Sequence, residues 1–577
     1  MSTSSEAGTA VDPNRKNYAV DKPSPGEARF AKEKITFRVI LLCILASMGG
    51  FIFGYDTGEI SGLVAMPDFI ARFGSNGGFS NVREGLIVSL LSVGSLVGAL
   101  SGGPLANYPI VGRKGAIIVA CIIFIIGTVI QIASITSWVQ LMVGRFVAGL
   151  GVGQLSAVVP VYQAESAPKQ IRGTLTATYQ LFITFGILVA YLINFGTVKI
   201  DEGNSPSCWR ITIGIGFIWP VFLILGMLFM PESPRFTLRC GNEERCRRDM
   251  VKIRGVPADD VALNYDIAEM KEAMAIDSKL PHGLGEIFRG KPKVFYRVLL
   301  GFSLQMFQQL TGANYFFYYG TTIFQSIGSP KNPYVTSIIL GAVNFGCTFG
   351  GLYVVEKFGR RKALILGGIG MAASFLVFAS VGFKLVVPGS QDAHGQGTPT
   401  KTAGYVMVIF GCLFILSYAT TWAPVVWTVN SEMMPSRVRA LAVGICTSGN
   451  WSWNFLLSFF TPFITNDIGF KYGYVFAACS LAGAVVVYFF LYETRGLTLE
   501  QIDEMYGTEG LKPWKSSSWE PTDHEILYKQ RQELLSETDR YKRDQHGAGE
   551  EQHLDYVERS RRGDGNEESV AGFRSMA

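Results

Sequence analysis

Charge is the scarcest property of this 577-residue chain: 17% of its residues are Asp, Glu, Lys or Arg, against 48% hydrophobic. So lean a charged fraction does not suit a water-soluble domain of this length. Histidine is rarer still, and none of the five (His282, His394, His524, His546, His553) falls in an apolar stretch, which leaves no intramembrane metal centre built on imidazole. Of the nine cysteines, six (Cys43, Cys121, Cys347, Cys412, Cys446, Cys479) lie inside apolar runs, where thiols act as small hydrophobes. Only Cys208 adjoins an expected outer loop, so no disulfide framework is readable. The opening MSTSSEAGTAVDPNRK has too few apolar residues for a cleaved signal peptide, and the first apolar run is expected to direct insertion itself. No nucleophile–base set supports an enzyme. The formal charge of +5 sits in short clusters without the basic stripe and interleaved aromatics of a nucleic-acid surface, so nucleic acid is not an expected partner.

What is present is a series of long apolar runs. Twelve are expected as spans, at 35–57, 84–106, 115–136, 138–160, 174–195, 209–229, 296–324, 335–356, 362–384, 404–428, 438–463 and 471–492. Each is near the roughly 20 residues needed to cross a hydrocarbon core about 30 Å thick, so the lipid bilayer is the first expected partner. Short loops keep the basic residues Arg113 and Lys114, Lys169 and Arg172, Lys357 with Arg360, Arg361 and Lys362, and Arg437 with Arg439. By the positive-inside rule these loops and both termini face the cytosol.

The fold class expected is therefore an all-α membrane protein of twelve helices in two six-helix bundles. Its parts are a cytosolic N-terminal tail at 1–34, bundles at 35–229 and 295–496, a cytosolic helical linker at 230–294, and a tail at 497–577. The linker contains DIAEMKEAMAI (266–276), which reads as amphipathic helix. The tail is rich in Glu, Arg, Gln, Ser and Gly, and apart from a helix around 523–540 is expected to be disordered. The halves echo each other. Gly112-Arg113-Lys114 recurs as Gly359-Arg360-Arg361, and Glu165 with Arg172 seven residues on recurs as Glu432 with Arg439 seven residues on. PESPR (231–235) and YETRG (492–496) follow the sixth and twelfth runs. Three pairs in one order indicate two parallel repeats with a central solute site between them.

Ionisable groups at membrane depth are costly and usually functional. Asp56, toward the outer half of the first run, and Arg145, about two turns in from the outer end of the fourth, are expected at similar depth. They form either a proton site or a permanent structural ion pair. Glu59 is expected in the outer vestibule. Uncharged amides form a second set: Gln180, Gln308, Gln309, Asn314, Asn344 and Asn450. Amides both donate and accept, as a ring of hydroxyls requires, without the desolvation cost of charge; the alternative is that they bond neighbouring helices. Phe53, Tyr318, Tyr319, Trp427 and Trp451 are candidates for the apolar faces of such a site. Glycines at 94, 98 and 102 and at 149, 151 and 153 read as close helix contacts. Four loop pairs, Glu165/Arg172, Glu232/Arg235, Glu356/Arg360 and Glu432/Arg439, are candidate gating ion pairs between the bundles.

These residues resemble the sugar porter family of the major facilitator superfamily, fungal hexose (glucose) transporters especially. The matching pieces are GGFIFGYDTGEISG (49–62), GRFVAGLGVG (144–153), PVYQAESAPKQIRGTL (160–175), PESPR, QQLTGANYFFYY (308–319), EKFGRR (356–361), TTWAPVVW (420–427), SEMMPSRVRA (431–440) and YETRG. They run through 49–496 in the family's order. The resemblance implies sugar contacts at Gln180, Gln308, Gln309, Asn314, Asn344, Trp427 and Asn450, and it matches Asp56 and Arg145 to the pair used by proton-coupled members. Two departures stand out: Asn107 replaces a usual aspartate, and Ala419 to Ala423 lacks the Glu and Gly pattern of animal relatives. The expected function is hexose transport by alternating access at the plasma membrane, as facilitator or proton symporter, with no cofactor beyond a co-transported proton. The alternative is a glucose sensor signalling through its cytosolic tail to regulators there.

Overall fold

The computed structural model describes residues 37–520 apart from 75–77, 169–170, 259, 261–262, 265, 268–269, 272–283, 319–332, 386–400, 436–437 and 498. Tyr319, Lys169, Arg437, the N-terminal tail and the segment 523–540 lie outside the described residues. The first half carries α1 (Phe37–Leu63), α2 (Asn81–Asn107), α3 (Gly112–Ile132), α4 (Trp138–Ser166), α5 (Arg172–Thr197) and α6 (Pro206–Phe229), the last broken by a turn at Gly216. The second carries α7 (Val294–Leu310), α8 (Pro333–Lys357), α9 (Arg360–Lys384), α10 (Thr402–Glu432), α11 (Arg439–Ile468) and α12 (Tyr472–Phe490). Among the described residues ten stretches are long and apolar enough to cross a membrane, and the tenth, Arg439–Phe490, contains both α11 and α12.

Helix starts follow local chemistry. Ser80 and Ser137 accept from the amides of Arg83 and Gln140, capping α2 and α4, and Gly469, at φ 55°, lets the chain turn out of α11. Within the first half α1 packs on α5 and α2 on α4; within the second, α7 packs on α11 and α9 on α12. The α2–α4 contact is a lock of small residues: a side chain at Gly94 or Gly98 would strike the α4 backbone at Phe146 or Leu150, and one at Gly149 or Gly153 would strike Leu91 or Ser95. The seam between halves is made by α2 along α11 and α5 along α8.

Two helices are interrupted where the site lies. The chain leaves α7 at Thr311-Gly312 and resumes as helix at 313–318. Gly312 sits at φ +87° with Phe476 against the place a Cβ would occupy, so glycine is required there. In α10 a π turn at Tyr418–Trp422 precedes Pro424, which has no N–H to give the preceding turn.

The tail departs from expectation. Residues Leu499–Gly507 form a helix, α13, with Leu499, Ile502, Met505 and Tyr506 buried against the second half. Arg297 of α7 pairs with Asp503, lies 4.1 Å over the Tyr506 ring and donates to the Met433 carbonyl. Mean composition across some eighty residues conceals four apolar positions at helical spacing. Of the linker segment 266–276 the structure describes only Asp266, Ile267, Met270 and Lys271. Ile267 and Met270 are buried with Cys246 and Met250 of the helix Glu243–Arg254.

Candidate functional site

Nine of the eleven side chains expected at the substrate site line one cavity at the seam: Phe53, Gln180, Gln308, Gln309, Asn314, Tyr318, Asn344, Trp427 and Asn450. The second half supplies most of the polar surface. Gln308, Gln309 and Asn314 flank the break after α7. Gln308 Nε2 donates to the carbonyls of Trp422 and Ala423 at 3.1 Å each, beside the π turn. Asn450 on α11 donates to Gln305 Oε1 and Gln308 Oε1 at 2.7 Å and accepts from Gln309 Nε2 at 2.9 Å. Asn314 Nδ2 donates to Gln309 Oε1 at 2.5 Å. The cluster is thus a chain of amides with each member holding the next in orientation. Asn344 Oδ1 on α8 is buried with no partner among the described residues.

From the first half come Gln180 and Phe53. Gln180 Oε1 accepts from Trp427 Nε1 at 3.1 Å across the seam, and Phe53 brings an aromatic wall, backed at 4.8 Å by Trp451. Trp451 is not a lining residue: it sits behind Phe53, and its Nε1 donates to Ser156 Oγ at 3.0 Å. Sequence reasoning missed Thr57, Tyr418 and Asn454, which also line the cavity. Asn454 was within reach, since it follows Asn450 by one helical turn on α11. Its Oδ1 accepts from Ser92 Oγ at 2.8 Å across the seam and from the Tyr318 hydroxyl at 3.3 Å.

Hydrogen bonds bridge the halves on either side of the cavity. On the side carrying the linker the Trp427–Gln180 bond spans the seam. On the far side, eleven residues along α5, the Tyr191 hydroxyl donates to the Phe317 carbonyl at 2.9 Å.

Beside the cavity Arg145 Nη2 and Asp56 Oδ2 pair at 3.3 Å, both groups buried. Glu59 is not in a vestibule. It is 3% exposed because α1 continues to Leu63, covered there by α5 and α6, whereas the apolar run ends near residue 57. Among the described residues no cluster of three metal-ligating side chains occurs.

The linker-side charges are joined in each half by an arginine–glutamate pair and a helix cap. Arg113 pairs with Glu165 at 3.3 Å and Arg360 with Glu432 at 2.8 Å, each within its own half. Glu232 accepts from the amides of Arg113 and Lys114, capping α3, and Glu493 accepts from those of Arg360 and Arg361, capping α9. Burial pushes the Glu232 carboxyl above its ordinary range despite these donors. Asn107 takes the aspartate's place as acceptor, from Arg113 at 2.8 Å and Arg239 at 2.7 Å. Across the seam Glu356 Oε1 accepts from the Thr174 amide at 2.9 Å, capping α5, and Arg439 acts electrostatically on Glu165, as Glu356 does on Arg360 within the second half. Arg172 and Arg235 also make contacts. Loop spacing does not show which carboxylate meets which guanidinium, because the partners arrive from other helices.

Apolar helices in two similar halves around an amide-lined cavity define a membrane carrier of a small polar solute. The profile of the family described as "Sugar (and other) transporter" matches residues 42–506. The low-affinity glucose transporter of Kluyveromyces lactis is 45% identical over 498 residues, covering 85% of this chain and 86% of that protein. The low-affinity glucose transporter HXT3 of Saccharomyces cerevisiae is 45% identical over 493 residues, 84% of each. Among solved structures, the major facilitator superfamily proton:xylose symporter XylE bound to 6-bromo-6-deoxy-D-glucose superimposes with TM-score 0.70 at 25% identity, covering 82% of this chain and 98% of that one. The inward-open conformation of XylE from E. coli gives 0.61 at 25% identity, over 81% and 99%. The chain belongs to the sugar transporter family.

Proposed function

We propose that this chain carries glucose and related hexoses across the plasma membrane by alternating access, with twelve spanning helices in two bundles (35–229 and 295–496) and with the linker at 230–294 and both termini in the cytosol. The observation that carries this reading is the cavity at the seam whose lining combines amides with aromatic faces. A pyranose presents a rim of hydroxyls and two apolar faces, and the amides of Gln308, Gln309, Asn314, Asn344, Asn450 and Gln180 suit the rim as Phe53, Tyr318 and Trp427 suit the faces. A hydroxyl donated to Asn344 Oδ1 would satisfy a group that otherwise stays orphaned. The names of the yeast relatives support a hexose as substrate.

Alternation requires one end to open while the other stays shut. The caps and pairs at Glu165, Arg172, Glu232, Arg235, Glu356, Arg360, Glu432 and Arg439 are assigned to closing the cytosolic end. We also assign Asp56 and Arg145 to proton coupling, a reading supported by their burial and by the likeness to a proton:xylose symporter. Protonating Asp56 would loosen its hold on Arg145 and bias the equilibrium between the two facing states. The test is labelled glucose uptake in a host lacking hexose transporters, at two external pH values and with a protonophore, comparing the native chain with Asp56→Asn. Uptake lost with both treatments supports symport through Asp56. Uptake indifferent to both leaves a facilitator with a structural ion pair. Absence of uptake despite surface expression favours a sensor acting through the tail on cytosolic regulators.

A further inference from the structure

Three ionisable side chains beside the cavity do not sum to a neutral set. Asp56 and Glu59 lie one turn apart on α1, both buried, and Arg145 of α4 is the cation acting on both. Arg145 spends only Nη2 on Asp56; its Nε and Nη1 find no hydrogen-bond partner among the described residues. The Glu59 carboxyl in turn accepts no hydrogen bond from them. Among the described residues, the tyrosine hydroxyls of the neighbouring elements are engaged elsewhere. Tyr55, on the same helix, donates to the Thr212 carbonyl of α6. Tyr191 of α5 donates to Phe317, Tyr318 follows the break in α7, and Tyr334 at the head of α8 donates to the Gly62 carbonyl. Asn194 of α5 is occupied with the Gly58 and Glu59 main-chain carbonyls.

Two ionised carboxylates facing one guanidinium would leave a buried, uncompensated negative charge, and two protonated ones would strand the arginine. One proton makes the set neutral. We propose that Asp56 and Glu59 share a single proton and a single arginine: Arg145 pairs with Asp56 while the proton rests on Glu59, and turns to Glu59 when the proton moves to Asp56. The unpartnered Arg145 nitrogens are the donors that the second pairing would use. Each exchange carries one proton from a Glu59 oxygen to an Asp56 oxygen over three residues of helix, about 4.5 Å of rise, and the three groups stay neutral throughout. Because Glu59 lies nearer the far side, that direction moves the proton toward the linker side. This deepens the proton-coupled reading of the same pair and makes Glu59 a second coupling acid.

The test uses the purified full chain in lipid. At neutral pH the infrared spectrum of the native protein contains a deuterium-sensitive protonated-carboxyl band, and Glu59→Gln and Asp56→Asn each remove one carboxyl's share of it, because the remaining acid then ionises against Arg145. Glu59→Asp keeps that share, which separates loss of the proton from misfolding. In proteoliposomes with an imposed proton gradient, glucose accumulation falls to the equilibrium level in Glu59→Gln. A band unchanged in Glu59→Gln, or accumulation retained there, overturns the shared proton. A native chain that moves no glucose overturns the transport reading alone, and the infrared comparison still decides the proton.

Discussion

Asn450 holds the amide chain together, donating to Gln305 and Gln308 and accepting from Gln309. Asn450→Ala leaves three buried amide groups without that partner, each at about 1–3 kcal/mol when water cannot replace it. The expected result is a rise in the glucose KM of at least about tenfold, since each 1.4 kcal/mol is roughly a factor of ten, measured by initial uptake rates at matched surface expression. The amides were legible in the sequence because polar side chains inside apolar runs are few and conspicuous. Glu59 was not, since a hydropathy window ends where acids begin, whereas the helix continues because α5 and α6 bury it. The salt-bridge partners were also hidden: Arg113 and Glu165 are 52 residues apart, and only the packing of α3 on α4 brings them together.

At the scale of the helix, the break at Thr311-Gly312 places Gln309 below it and Asn314 above it, facing one cavity. Gly312→Ala puts a methyl against Phe476 at a positive φ, a conformation that costs about 1–3 kcal/mol for other residues. The expected outcome is a lowered Tm in detergent and a fall in the transport rate, checked by thermal unfolding alongside uptake. The expected span at 296–324 ran straight through this break, although TGAN carries the turn residues Gly and Asn. The π turn of α10 gave no comparable signal beyond Pro424, because i→i+5 bonding has no composition of its own. The α13 helix was concealed for the opposite reason, its few apolar residues being diluted by a long polar tail.

Across the whole molecule, the halves meet on the linker side through the Glu356 carboxylate and the first turn of α5. Removing a helix cap of this kind costs about 0.5–2 kcal/mol, and here the cost falls only on the state in which the halves touch. Glu356→Ala is therefore expected to populate the linker-open state several-fold more. Spin labels on the linker-side ends of α5 and α8 would report this as longer interhelix distances; an unchanged distribution would show that the seam is held elsewhere. The two-half organisation was readable from the repeated Gly-Arg-basic and PESPR-like segments. Which residues cross the seam was not, because a repeat shows what is alike in the halves and leaves open what joins them.

The chamber is bridged at both ends in one structure, by Trp427 to Gln180 and by Tyr191 to Phe317. A molecule can be handed through only if it is short enough for both bridges to close over it. A two-ring sugar with the same hydroxyl chemistry could seat its first ring among the amides while its second ring props one bridge apart, holding the protein in mid-stroke. Such a molecule would act as a wedge, competing with glucose at the entrance without reaching the other side.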